Sequence, residues 1–234
     1  MKYLRFKFKF KETVATILVD RKEDYEKITK AIIEARREIE DAISKDPLFL
    51  TTYEPYECSG KVTGRMCYAS KLAKVGPMAA VAGAIAQYAV ESVADDVNFA
   101  VVDNGGDMAI LTDRELVVGI YPSNIGFVIE PCDEIVAICT SSGKIGHSVS
   151  LGYADAATVV SNDASIADAF ATALGNEIKE ELGKEEIEGV LSAFWERAGK
   201  YISGAMVVKD EILGFVGNLP KIVRVKINPD LITF

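Results

Sequence analysis

Residues 3 to 10 alternate polar Tyr3, Arg5, Lys7 and Lys9 with apolar Leu4, Phe6, Phe8 and Phe10. A period of two predicts a strand with one face in the core. The β-branched run TVATILV at 13–19 predicts a second strand. Asp20 with Glu23 three residues later reads as a helix start, and Tyr25, Ile28, Ile32, Ile39 and Ile43 then recur at helical spacing until Pro47. A loop is expected from about 51 to 73, followed by a second helix that begins near Gly76-Pro77 and runs through MAAVAGAIAQYAVESVA.

Short apolar runs dominate the second half. Strands are expected at FAVVD (99–103), MAIL (108–111), LVVGIY (116–121) and EIVAICT (134–140), joined by short turns as an antiparallel meander. AATVVS (156–161) adds a strand. Asp163 caps a helix that continues to about Leu182, and a further helix carries Ile187, Val190, Leu191, Phe194 and Trp195. GAMVVKD and KIVRVKI read as closing strands. Strands in groups with helices between them point to an α+β fold with mixed or antiparallel sheet, not to a doubly wound alternation. No repeat, linker or low-complexity tract divides the 234 residues, so a single domain over 1–234 is expected.

The longest uncharged run, Val75 to Val90, contains Gly76, Pro77, Gly83 and Gln87 and falls short of the roughly 20 apolar residues of a bilayer span. The basic, alternating N-terminus does not resemble a secretory signal. A cytoplasmic protein with no membrane partner is therefore expected. Lys+Arg 26 against Asp+Glu 35 gives a net charge of −9, and no basic stripe is interleaved with aromatics, which argues against a nucleic-acid partner. An acidic chain that takes a phosphorylated ligand must offset its charge locally, with a cation, helix N-termini or backbone N–H groups.

Four segments stand out, although the first two are equally explained by close helix packing and by a tight hairpin turn. Val75 to Gly83 is a helix start without side-chain bulk. Asp103-Asn104-Gly105-Gly106-Asp107 is a tight turn flanked by carboxylates. Thr140-Ser141-Ser142-Gly143 is a hydroxyl-rich loop that follows a buried strand and leads to His147, the single histidine; its spacing is not that of a Walker A sequence. Ala167 to Ala173 places Asp168 and Thr172 one helical turn apart on a face otherwise made of small residues. A buried carboxylate needs a partner. A carboxylate with a hydroxyl is also hard-oxygen ligation suited to Mg²⁺ or Ca²⁺.

In order along the chain, these segments resemble the motifs of the ApbE flavin transferases: Val81-Ala82-Gly83, Asn104-Gly105-Gly106-Asp107, Thr140-Ser141-Ser142-Gly143 with His147, and Ala167 to Ala173. The resemblance covers roughly 75 to 175. It implies an ApbE-like, T-fold-like domain with mixed or antiparallel sheets flanked by helices, and a small-molecule ligand carrying phosphate or pyrophosphate, FAD or FMN. By the same resemblance, Asp168, Thr172 and a main-chain carbonyl near Val81 would bind the divalent metal. Gly83, Asn104, Gly105, Gly106, Thr140, Ser141, Ser142 and Gly143 would line the cofactor pocket, and His147 or Asp107 would serve as base. The chain departs from the family at Ala82, where the family has Lys, and at His147-Ser148-Val149-Ser150, where it has a His-Ile-Ile-Asp-Pro type sequence. Two other readings stand beside this one, the first drawn from those departures. One is a non-catalytic scaffold whose vestigial pocket is filled by side chains such as Met78 and Tyr153. The other, implied by similarity to an ApbE-related branch of archaea and bacteria, is sulfur handling in homocysteine synthesis through a cysteine persulfide.

The cysteines are Cys58, Cys67, Cys132 and Cys139, none in a CxxC pair, so a structural zinc site is not expected. Cys139 lies in the apolar run IVAIC and is expected to be buried and inert. If the sulfur reading holds, Cys67, near Arg65, Lys71 and Lys74 in the expected loop, is the candidate reactive thiolate; the alternative is a small, half-buried loop residue. A homodimer burying apolar strands is the expected assembly.

Overall fold

The structure is a computed structural model and describes residues 3–143 and 152–226. Strands β1 (Leu4–Phe10) and β2 (Thr13–Val19) pair as a hairpin and lead into the long helix α1 (Lys22–Lys45). The short α2 (Leu48–Thr51), α3 (Thr63–Ala73), a 3₁₀ turn over Pro77–Ala80 and α4 (Val81–Ala94) follow. Then come β3 (Ala100–Asp103), β4 (Asp107–Thr112), β5 (Leu116–Ile120), β6 (Ile125–Ile129), β7 (Cys132–Ser141) and β8 (Ala156–Ser161). Helices α5 (Ala164–Glu177) and α6 (Lys184–Ala198) precede β9 (Gly204–Lys209), β10 (Ile212–Gly217) and β11 (Lys221–Arg224). An eight-stranded sheet has the order β1-β2-β3-β4-β7-β8-β9-β10, and a three-stranded sheet has the order β11-β6-β5. All their pairings are antiparallel.

The central strands of the large sheet are buried on both faces, and their alternation shows how. Ala15, Ile17, Ala100, Val102, Ala109, Ala137, Cys139, Ala157, Val159 and Ala205 face the core shared with the helices. Val101, Ile110, Ile138, Ala156, Val160 and Met206 face the other way, onto Val118, Ile120, Phe127 and Ile129 of the small sheet. Small residues on the helix side let helices approach the sheet closely. Larger ones on the opposite side interdigitate with the small sheet. At one edge, β1 carries exposed Lys7 and Lys9 between inward-facing Phe6 and Phe8; charge on an edge strand discourages pairing with another chain.

The α+β class with antiparallel sheet is as expected, but several details differ. The run at 116–121 does not continue the meander. β5 leaves the large sheet, hairpins with the unforeseen strand β6 and packs across the sheet face, while β4 pairs with β7 instead. β10, also unforeseen, pairs with β9. The cap of α1 is Arg21, not Asp20, because the Asp20 carboxylate is held by Arg114 at 2.7 Å. α5 stops at Glu177, five residues before Leu182, where its last turn meets residues 152–153: the Tyr153 N–H donates to the Ile178 carbonyl at 2.8 Å.

The largest difference is α3, which occupies the second half of the expected loop. It buries Thr63, Met66, Cys67, Ala69, Ser70 and Ala73, two of them polar and two alanine, so the apolar period is weak. Its start is fixed from outside, by the Glu38 carboxylate of α1, which accepts from the N–H groups of Val62 (2.9 Å) and Thr63 (2.8 Å).

Phe127 is fully buried between the two sheets. Phe127→Ala is expected to lower unfolding free energy by about 3–5 kcal/mol, and Val117→Ala, on the exposed face of β5, by no more than about 0.5 kcal/mol. Urea titration of the two variants compares them directly.

Candidate functional site

Gly83, Asn104, Asp107 and Asp168 come together where α4 begins. Gly83, the third residue of α4, has a backbone N–H with no partner within its own helix, and that N–H donates to Oδ2 of Asp168 on α5 at 2.8 Å. The two helices cross backbone to backbone there. A Cβ on Gly83 would lie 2.1 Å from the Ala164 carbonyl oxygen and 2.8 Å from the Asp168 Cβ, so only glycine fits. Gln87, one turn along α4, accepts the Ala164 N–H at 2.9 Å, and Asp163 caps the next two amides of α5 at 2.9 and 3.2 Å. The amides of Ala164, Ser165 and Ile166 are thus committed to protein groups, and the N-terminus of α5 has no free N–H among them to offer an anion.

The β3–β4 turn closes against the start of α4. The Asn104 N–H donates to the Asp107 carbonyl at 3.0 Å, its side-chain amide donates to the Ala82 carbonyl at 3.0 Å, and the Gly106 N–H donates to Asp103 Oδ1 at 2.9 Å. Asn104 is therefore a brace between turn and helix. Gly105 and Gly106 have φ of +73° and +100°, which glycine adopts without strain. A Cβ on Gly105 would meet nothing within 4 Å, so its backbone is open to an approaching ligand.

Asp107 points to the helix side of the sheet, where it lies opposite Cys139 in the β4–β7 ladder. Although the residue as a whole is half-buried, its Oδ1 is shut from solvent and has no hydrogen-bond partner. Burial pushes its carboxyl well above the usual range, and the charges of Asp168 and then Asp103 add to this. Asp168, 8 % exposed, is pushed up to about 7 by burial, against the lowering influence of the Gly83 and Ala82 backbones. Cys139 is fully buried, and its thiol donates to the Ala164 carbonyl at 3.3 Å; burial, Asp107 and Asp168 raise it, so it is held neutral, as its apolar run suggested.

The remaining expected residues fall nearby or elsewhere. Val81 is the first residue of α4, and Thr172, half-buried one turn beyond Asp168, has no hydrogen-bond partner among the described residues. Thr140 faces away from Asp107, its hydroxyl 3.0 Å from that of Thr158. Ser141 is buried, Ser142 is half-buried, and Gly143 is glycine because the chain doubles back: a Cβ there would lie 1.7 Å from the Gly152 carbonyl oxygen. His147 lies outside the described residues. Met78 packs against the helix-side core, and Tyr153 is 43 % exposed.

Cys67 requires a correction. It lies on α3, not in a loop, is 4 % exposed and forms a disulfide with Cys58. The nearby Arg65 is committed to Glu91 and Asp163. A free, exposed thiolate stabilised by Arg65 is not what the fold presents at this position.

The family described as AbpE bacteria matches residues 1–194. The chain belongs to this family. Among curated relatives, a UPF0280 protein of Archaeoglobus fulgidus is 57% identical over 231 residues, covering 98% of both chains. Another, from Methanosarcina barkeri, is 43% identical over 235 residues, covering 97% of this chain and 91% of its own. Among solved structures, the flavin transferase ApbE from Vibrio cholerae superposes with a TM-score of 0.58 at 13% identity, covering 92% of this chain and 96% of its own. The flavinyl transferase ApbE of Pseudomonas stutzeri, apo form, gives 0.57 at 13%, covering 94% and 95%. The fold is therefore shared with ApbE flavin transferases, in agreement with the four motifs.

Among the described residues, no three His, Cys, Asp or Glu side chains are grouped to hold a metal ion, and no helix is long and apolar enough to cross a membrane. Surface clefts of about 330 and 230 Å³ lie away from Asp107 and Asp168.

Because its carboxyl rises to about 7 on folding, from ~3.9 in an exposed chain, Asp168 stays protonated in the native state where the unfolded chain has released the proton. Its contribution to stability is present below about pH 4 and is lost as pH rises towards about 7. In metal-free protein, the urea midpoint of Asp168→Asn, which still accepts from Gly83, is expected to fall less across that window than that of the wild type. Gly83→Ala is expected to lower unfolding free energy by about 1–3 kcal/mol, read by the same titration.

Proposed function

We propose that the chain binds a flavin nucleotide through its pyrophosphate, with a divalent cation, at the junction of α4, α5 and the β3–β4 turn, and acts as an FMN transferase. The observation that carries this reading is the buried carboxylate Asp107, whose Oδ1 is left without a partner beside Asp168. A buried carboxylate oxygen with nothing to accept from is costly. A cation, or a hydrogen-bond donor on a bound ligand, removes that cost. The shared fold with proteins titled flavin transferase supports the choice of ligand.

The residues present fit a hard divalent ion such as Mg²⁺ or Ca²⁺: the Asp168 carboxylate, the Thr172 hydroxyl one turn on, and a main-chain carbonyl at Val81. When bound, such an ion supplies the positive charge that a pyrophosphate needs in a protein of net charge −9. Gly105 and Gly106, with no side chain in the way, let the phosphates approach the turn. Gly83 fixes Asp168 through its N–H, so the carboxylate is oriented before any ligand arrives. Asp107, raised by burial and by its neighbours, is suited to take a proton from an incoming hydroxyl through Oδ1.

Calorimetric titration with FAD, with and without Mg²⁺, tests this reading, together with release of AMP from FAD. Mg²⁺ is expected to tighten FAD binding, and Asp168→Ala to weaken the Mg²⁺-dependent affinity by on the order of 10–100-fold. Asp107→Asn is expected to retain FAD binding and lose AMP release. Wild-type protein that binds neither Mg²⁺ nor FAD would sink the proposal.

A further inference from the structure

The Cys58–Cys67 disulfide ties the segment ahead of α3 to the helix itself, with the Cα atoms 5.9 Å apart. Arg65, two residues before Cys67, holds Glu91 of α4 at 2.8 and 3.0 Å and Asp163, the cap of α5, at 3.2 Å. Asp163 divides its carboxylate, with Oδ2 towards Arg65 and Oδ1 accepting from the Ser165 and Ile166 amides of α5. Gln87 closes the circuit, donating to Glu91 at 3.0 Å while accepting from Ala164. One polar network therefore joins α3, α4 and the start of α5, one helical turn from Asp168.

The two sulfurs differ in access. Cys67 is buried, whereas Cys58 is half-buried and lines the cleft of about 330 Å³ together with Phe49, Tyr56, Thr63, Glu38 and Asp46. Of the two cysteines, Cys58 alone lines this cleft. α3 has 11 residues, below the length at which an isolated helix is stable in water, so its anchors decide its order. Those anchors are the Glu38 cap, the Arg65 network and the disulfide.

We propose that Cys58–Cys67 is a thiol-exchange site for a dithiol reductant, and that its state sets how firmly α3 holds the start of α5. The thiolate of the reductant attacks the Cys58 sulfur, the Cys58–Cys67 bond breaks, and Cys67 leaves as a thiolate that takes up a proton. The second thiol of the reductant then attacks its own sulfur in the mixed disulfide and releases Cys58, which is protonated. The reductant ends as a disulfide and the protein has gained two electrons and two protons. This closes or opens a latch on α3, and Arg65 passes the change to Asp163. The inference does not depend on the flavin reading.

Hydrogen–deuterium exchange on ligand-free protein, before and after dithiothreitol, tests it alongside mass-spectrometric mapping of alkylated thiols. Reduction is expected to add labels at Cys58 and Cys67 and to reduce protection at 60–70 and 163–168, with 4–19 unchanged. The Cys58→Ser/Cys67→Ser variant is expected to match the reduced protein. In Arg65→Met, reduction is expected to reduce protection at 60–70 alone. Failure to release the two thiols, a loss confined to 60–70 in the wild type, or a uniform loss over the whole chain would each overturn the proposal.

Discussion

The crossing of α4 and α5 at Gly83 is the contact on which the rest of the site depends. With no side chain between them, the Gly83 amide reaches Asp168, and the Ala164 carbonyl lies where a Cβ would otherwise stand. This depth of approach requires small residues all round, and both helices supply them: Ala84, Ala86 and Ala89 on one, Ala167, Ala169 and Ala171 on the other, all buried. The sheet beneath follows the same rule on its helix side, with Ala100, Ala109, Ala137, Ala157 and Ala205. Close packing of small groups is rigid, because there is little room for alternative rotamers. The carboxylates mounted on it are therefore held in place by the backbone itself.

That rigidity has an electrostatic consequence. Asp107 and Asp168 are both raised by burial, and the charge of Asp168 further disfavours ionisation of Asp107. Two carboxyls raised by burial at one junction cost stability once ionised, and perturbed acids of this kind cluster at functional sites more often than elsewhere. Cys139 between the strand and α5 stays neutral for the same reason, and serves as a small donor to Ala164. The surface carboxylates behave in the opposite way: Glu40, Asp46 and Asp96 are lowered by hydrogen bonds from Lys11, Tyr56 and Lys27. The separation between lowered surface acids and raised buried acids marks the junction of α4, α5 and the β3–β4 turn as chemically different from the rest of the chain.

α3 shows how a segment that is weak locally becomes ordered by its surroundings. Its buried face includes Thr63 and Ser70, which carry little hydrophobic drive, yet Glu38 caps its start, Arg65 ties it to two other helices, and Cys67 is bonded to Cys58. Each of these partners is distant in sequence except Cys58.

Much of the fold could be read from residue patterns alone. The alternation at 3–10, the β-branched run at 13–19, the helical spacing from Tyr25 to Ile43 and the short apolar strands all became the elements they suggested, because local period reflects which face is buried. The order of the four motifs was enough to recognise the family, since each is a backbone requirement that only a few small or polar residues meet. Tertiary structure alone decided the rest. It moved β5 and β6 onto a separate sheet, because Val118, Ile120, Phe127 and Ile129 find their partners across the sheet face and not along it. It made Asn104 a brace between the β3–β4 turn and α4 and Gly143 a backbone crossing, and it made α3 and a disulfide where a loop was expected. A sequence records which residues can be buried or can turn; which distant carbonyl, carboxylate or sulfur meets them is settled only when the chain packs.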